Sequence, residues 1–185
     1  EFASPQVFTT ATSQSPAGEY DLNATGGYAA NYHFAYHNAH LFVGATNQHL
    51  EFFAVDSNAT YGDEPLQLEA FASSGLEVEY FSSDPEVLEV NGTQLKVRGA
   101  GEAIIYAHQA GDANYLPSPE LNATVVVHTA QLEVIAHDAF KAYLEPIPEL
   151  TFHYDGFVND ENASVLGVTP SITTGATASS PAGVY

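Results

Sequence analysis

Apolar and polar residues alternate with a period of two along most of this chain, the rhythm of half-buried β-strands. Tyr20 and Leu22 alternate with Asp21 and Asn23 before Gly26-Gly27 interrupts the run. The stretch NYHFAYHNAHLFV then sets Tyr32, Phe34 and Tyr36 on one face and His33, Ala35 and His37 on the other. Asn38-Ala39 is the predicted hairpin turn, with Leu41 and Val43 on the return strand. An isolated hairpin is marginal in water, so a further strand is expected to complete it.

From residue 48 short strands recur at intervals of roughly ten residues, the spacing of a sandwich. They read LEFFAV (50–55), LQLEAF (66–71), LEVEYF (76–81), VLEV (87–90), QLKVR (94–98), EAIIYAH (102–108) and ATVVVH (123–128). Turns fall at Tyr61-Gly62-Asp63-Glu64-Pro65, Ser73-Ser74-Gly75, Ser82-Ser83-Asp84-Pro85 and Asn91-Gly92. Alternation places Leu76, Val78, Tyr80, Ile104 and Tyr106 in the core and Glu79 outside. A third section opens with QLEVIA (131–136). After Pro146-Ile147-Pro148 comes ELTFHY (149–154), with Leu150, Phe152 and Tyr154 inward. The polar NDENASVL holds one short helical turn capped by Asp160 or Asn162. SITTGATA (171–178) and SPAGVY (180–185) are two further expected strands. The fold class is therefore all-β.

The two ends of the chain repeat one another. Residues 11–20 read ATSQSPAGEY and residues 176–185 read ATASSPAGVY, an offset of 165 residues, with Pro5 matching Pro170 and Thr9 matching Thr174. A chain whose last twenty residues repeat its first twenty spans slightly more than one period of a tandem array. The residues around ASSGL, SSDPEV and GAGEAIIYAHQAGDANY, through the closing apolar strand, resemble the bacterial Ig-like repeats of large surface proteins, over about 48–128. The stretch PELTFHYDGFVNDENASVLGVTPSITTGATASSPAGVY is similar to the first two-thirds of the MBG repeat, and SPAGEYDLNATGGYAANYHFAYHNAHLFV to its last part. The resemblance implies three sections: 1–45, the C-terminal part of an MBG-like module; 48–128, an antiparallel Ig-like sandwich; and 129–185, the N-terminal part of the next MBG-like module. The chain departs from the family pattern at Ala142-Tyr143-Leu144, where a Tyr-Gly pair is usual, and at His37-Asn38-Ala39-His40, where a Gly turn is common.

Composition narrows the function classes. The 45% apolar share supports a packed core, and no run approaches the ~18 apolar residues of a membrane span. No n-region and h-region open the chain, which reads as a mature or excised segment. Lys96, Arg98 and Lys141 stand against 23 acidic residues, a net charge of −20. That charge disfavours nucleic acid and anionic membranes as partners. It suits a saline or calcium-rich medium. The absence of Cys excludes a disulfide framework and thiolate metal sites.

Candidate chemistry is sparse. His33 and His37 lie about 13 Å apart along an extended strand, too far for one metal. His37 and His40 flank the predicted two-residue turn, where their side chains would oppose at about 5 Å and take a metal with one further ligand. Asp63-Glu64, Asp84 with Glu86, Asp112 and Asp160-Glu161 sit in predicted turns, where calcium sites are built. No other cofactor is called for. These carboxylates equally serve as solvated turn residues. Asn23, Asn58, Asn91, Asn122 and Asn162 begin Asn-x-Ser/Thr triplets, meaningful only where a glycosyltransferase meets them. G-x-S-x-G, H-E-x-x-H and P-loop signatures are missing, and Glu145 and Glu149 flank a Pro-rich turn with no evident pocket. A side-chain cross-link from Lys96 or Lys141 needs a buried carboxylate beside it. The expectation is a non-enzymatic structural or adhesive unit at the cell surface or outside the cell. Its expected partners are neighbouring copies, joined head to tail, or a separate-chain filament. The alternative is a carbohydrate-binding module meeting surface glycans, which an exposed aromatic platform would favour.

Overall fold

The computed structural model describes residues 3–53 and 56–185. Strands in chain order are β1 (Gln6–Phe8), β2 (Gly18–Thr25), β3 (Ala39–Val43), β4 (Leu50–Phe53), β5 (Asn58–Thr60), β6 (Leu66–Gln67) and β7 (Glu69–Ala72). They continue with β8 (Glu79–Ser82), β9 (Leu88–Asn91), β10 (Gln94–Val97), β11 (Gly101–His108), β12 (Leu121–His128), β13 (Glu133–Ala136) and β14 (Phe152–Asp155). The fold is all-β. Among the described residues no helix is long and apolar enough to cross a membrane. The chain divides into two compact units, Glu1–Val55 with Leu68–Ser83 and Ile104–Ala123, and Asp56–Gln67 with Asp84–Ala103 and Thr124–Tyr185. Each takes part of residues 48–128. The four-stranded sheet has the order β5-β12-β11-β8.

The first unit begins with an antiparallel sheet in the order β1-β2-β3. Gln6 faces Thr25 and Phe8 faces Asn23, while Gly18 faces Val43 and Leu22 faces Ala39. Ala39 therefore opens β3, and the expected Asn38-Ala39 turn is corrected. Residues 26–38 form the connection instead. Gly26 and Gly27 have φ of 72° and 92°, a left-handed pair that turns the chain out of β2 at once. The alternating aromatics mimic a strand but stack locally, Phe34 on Tyr36 at 6.3 Å, and the Tyr36 hydroxyl donates to the Gly26 carbonyl. β1 is the third strand that this hairpin needed.

β4 pairs β7, and Leu50, Ala72 and Ala107 form a buried cluster covered by Phe52, Ala70, Val78, Tyr80 and Leu121. Val78 and Tyr80 thus lie on the predicted face, and Leu76 is half-buried. Burial raises the Tyr80 phenol above its ordinary pKa, with a smaller opposing effect from its hydrogen bond to the Ala70 backbone. The register expected for EAIIYAH is reversed. Ala103, Ile105 and Ala107 are buried, while Ile104 and Tyr106 are only half-buried. Both parities of this strand are apolar, so pattern alone favours the larger residues. The buried parity is the one that sets a single Ile between two Ala.

The second unit holds the sheet β6-β10-β9. Asn91 pairs Gln94 across a two-residue turn whose Gly92 has φ 61°. Leu88, Leu95, Val97, Val125 and Val127 are buried. LQLEAF divides at Leu68, and β5, unanticipated in the sequence, runs parallel to β12 with Asn58 opposite Val126. β13 pairs β14, Glu133 opposite Asp155 and Ala136 opposite Phe152. Leu150, Phe152 and Tyr154 are half-buried between exposed Thr151 and His153, as the alternation predicts. Asn162 caps a 3₁₀ turn at Ala163–Val165, its Oδ1 accepting from Ser164 N at 3.0 Å. Residues 171–178 and 180–185 are not strands, contrary to expectation. In the first copy β1 pairs residues 23–25, whose counterparts at the offset of 165 fall beyond residue 185.

Candidate docking surfaces

The two copies of the repeated turn share the following hydrogen bonds, while Gln14 N donating to Thr12 Oγ1 at 3.3 Å occurs in the first alone. Ala11 N donates to Thr9 Oγ1 at 3.2 Å, and Ala176 N to Thr174 Oγ1 at 3.1 Å. Thr12 N donates to Ser15 Oγ and Thr177 N to Ser180 Oγ, both at 2.8 Å. Ser15 N returns to Thr12 O and Ser180 N to Thr177 O, both at 3.2 Å. The Tyr20 hydroxyl donates to Pro16 O and the Tyr185 hydroxyl to Pro181 O, both at 2.9 Å. Every one of these bonds spans four residues or fewer, so the turn carries its own shape. Ser and Thr hydroxyls capture nearby amides, and each Pro fixes φ.

The first copy is seated. Ala17 N donates to Asn114 Oδ1 at 2.7 Å, a contact 97 residues apart in sequence. The loop bearing Asn114 is held from several sides. Asp112 Oδ1 accepts from Asn114 N and Tyr115 N at 2.7 and 2.9 Å. Thr46 N donates to Asn114 O and Leu116 N to Thr46 O, both at 2.8 Å, so the linker after β3 is hydrogen-bonded to the loop. Beneath lie the buried Gln48, Gln109 and Ser118. Gln48 Nε2 reaches Leu116 O at 2.8 Å and Gln109 Oε1 at 2.5 Å, and Gly111 N donates to the same Gln109 oxygen at 2.5 Å. Gly111 has φ 78°, and a Cβ there would meet Tyr115 O at 2.3 Å. A fully bonded buried polar network of this kind fixes one loop conformation.

The second copy is braced differently. Ala178 O accepts from Leu144 N at 2.9 Å and from Lys141 Nζ at 3.1 Å. Leu144 has φ 69°, the left-handed conformation that the usual Gly of a Tyr-Gly pair adopts without strain. Ala182 N–H, the counterpart of Ala17 N–H, meets no acceptor among the described residues. Val168 is 87% exposed.

A second junction lies within the second unit. The Tyr61 hydroxyl donates to Glu161 Oε1 at 2.7 Å, and Tyr61 N donates to His128 O at 2.8 Å. Gly62 has φ 101°, and a Cβ there would stand 2.7 Å from Val158 Cβ. Beside it is an open cavity of about 360 Å³, lined chiefly by apolar residues including Leu132, Phe157, Val158 and Leu166.

The predicted candidates are dispersed. His40 opens no turn with His37. Its Nδ1 faces Glu19 Oε1 at 2.8 Å and Asp21 Oδ1 at 3.4 Å, while His37 is exposed on the 26–38 connection. Asp63 Oδ2 accepts from Thr60 N at 2.7 Å beside exposed Glu64. Asp84 Oδ1 accepts from Glu86 N at 3.0 Å. Asp112 and Glu161 are engaged as described, and Asp160 lies in a left-handed turn with φ 57°. Among the described residues no group of three or more His, Asp or Glu side chains is arranged to hold a metal ion. Lys96 is exposed, and the half-buried Lys141 bonds carbonyl oxygens. Asn23 and Asn58 contact Asn38 and His128. The sequence reading missed Asn114, Gln48 and Gln109. Gln109 and Asn114 fall inside the stretch GAGEAIIYAHQAGDANY, but a polar residue in a loop carries no signal of its long-range partner.

No curated protein matches the chain. Residues 132–185 match the family model of the MBG domain (YGX type), a non-catalytic repeat domain typical of large surface proteins.

Proposed function

We propose that this chain is a structural and adhesive repeat unit of a long extracellular surface protein. In this reading residues 48–128 form an Ig-like module between two parts of MBG-like modules, and successive units join head to tail by strand complementation. The observation that carries it is the turn repeated at an offset of 165 residues with the same hydrogen bonds in both copies. A strand lent by one unit to the next gives affinity through backbone hydrogen bonds. Contact between unlike surfaces continues as an open array unless its rotation closes. The match to the MBG domain over residues 132–185 supports a surface location. The acidic surface, with its −20 charge, suits a saline exterior.

The test is a tandem protein, residues 1–185 followed by one and then two further copies of 21–185. Small-angle scattering is expected to give a maximum dimension that grows by a constant increment per unit. Growth as the cube root of mass would mean that the units collapse on one another and form no fibre.

A second reading, carbohydrate binding, draws on the exposed aromatics. Phe81 is 45% exposed and stacks on Tyr106 at 4.7 Å and 11°, a flat apolar surface of the kind that sugar rings cover. A glycan array probed with the whole chain, and with Phe81→Ala, separates this reading from the purely structural one. Retention abolished by the substitution favours it, and no retention at all removes it.

A further inference from the structure

We propose that the second copy of the repeated turn docks on a second copy of this chain, its Ala182 N–H donating to that copy's Asn114 Oδ1. This rests on the head-to-tail reading and names the residue by which a unit recognises the incoming turn.

The seat is already visible with its own chain's turn in it. Asn114 Oδ1 accepts from Ala17 N at 2.7 Å, and residues 18–20 pair with β3, Gly18 opposite Val43, Glu19 opposite Phe42 and Tyr20 opposite Leu41. Residues 176–185 share the hydrogen bonds that anchor the seated turn at both ends, so the incoming turn arrives preshaped. The offset of 165 sets the docked register: Gly183 opposite Val43, Val184 opposite Phe42 and Tyr185 opposite Leu41. A preshaped segment avoids most of the ordering cost of binding. One substitution distinguishes the copies at the joint. Val184 replaces Glu19, so the docked turn forgoes the 2.8 Å contact with His40 and sets an apolar side chain beside Phe42.

Between separate chains the docking is an exchange, because residues 1–20 of the acceptor hold the seat and must leave. In a continuous array no competition arises, since the end of one period is the start of the next. Removing residues 1–20 therefore vacates the seat. Asn114→Ala deletes only the side-chain acceptor, because Asp112 Oδ1 and Thr46 engage the Asn114 backbone.

The probe is a fluorescent peptide of residues 166–185, followed by anisotropy. It is expected to bind the chain 21–185 and to bind 1–185 at least tenfold more weakly. Asn114→Ala in 21–185 should weaken binding about two- to tenfold, the range of one hydrogen bond, whereas Asn114→Asp retains it. Binding to 21–185 unaffected by Asn114→Ala overturns the Asn114 contact and leaves head-to-tail joining intact. No binding to folded 21–185 overturns both. Equal binding to 21–185 and 1–185 puts the peptide elsewhere and overturns the seat. If 21–185 does not fold, isotope-labelled 1–185 is titrated with the peptide. Displacement should move the Ala17 amide resonance and spare the buried Ile105, and an Ala17 resonance unmoved at large excess overturns the proposal.

Discussion

At the scale of the residue, two side chains have consequences larger than their type suggests. Ile105 is fully buried between Ala103 and Ala107, whereas Ile104 beside it is not. Ile105→Ala should cost about 2–5 kcal/mol, and Ile104→Ala distinctly less. Denaturant midpoints of both variants test the register, and equal losses would contradict it. Leu144 stands at φ 69°, where a non-Gly residue is strained by roughly 1–2 kcal/mol. Its backbone N–H to Ala178 O survives any replacement except Pro. Leu144→Gly should therefore stabilise the chain, by up to about 1 kcal/mol once the greater freedom of Gly in the unfolded chain is subtracted. Leu144→Ala keeps the strain and should not. The melting temperature is expected to rise by about 2–4 °C for Gly alone. This residue was legible in the sequence as a departure from the Tyr-Gly pattern. Its conformation was not, because nothing in Ala142-Tyr143-Leu144 announces a left-handed residue.

At the scale of the element, the strands of 48–128 were readable because turns punctuate them and one face is polar. β10 shows this best, with Leu95 and Val97 buried and Gln94 and Lys96 exposed. Reading failed where alternation had a local cause, as with the stacked aromatics of 26–38. It failed again over 171–185, which hold no strand despite their pattern, and at the short β5, whose partner β12 lies far along the chain. The joint sites were hardest to see. Tyr61-Gly62 reads as an ordinary turn, yet a Cβ on Gly62 would stand 2.7 Å from Val158. Gly62→Ala should cost about 1–3 kcal/mol through that clash, in addition to backbone strain at φ 101°. Val158→Ala should recover part of the loss, and a double-mutant cycle is expected to show coupling of about 0.5–3 kcal/mol. Strict additivity would show that the two residues do not meet.

At the scale of the whole molecule, charge governs how the protein responds to its medium. Of three basic side chains, Arg98 is paired with Glu89 and Lys141 with carbonyl oxygens, so most of the 23 acidic groups have no counter-charge from the chain. Sodium chloride should raise the melting temperature by screening. Calcium and sodium at matched ionic strength then separate screening from site binding. Coincident midpoints assign the effect to screening. A higher midpoint in calcium assigns a bound ion, worth about 2.7 kcal/mol at a hundredfold excess over Kd. Measuring Asp112→Asn and Glu161→Gln in the same series tells whether either turn is the site.

The brace on Ala178 has a consequence in time. Leu144 and Lys141 hold the already shaped turn in place from residues that precede it in the chain. In an array made and exported from its N-terminus, each tail would stand formed before the strands that receive it had emerged. Assembly would then proceed in one direction, every finished unit serving as the template on which its successor closes.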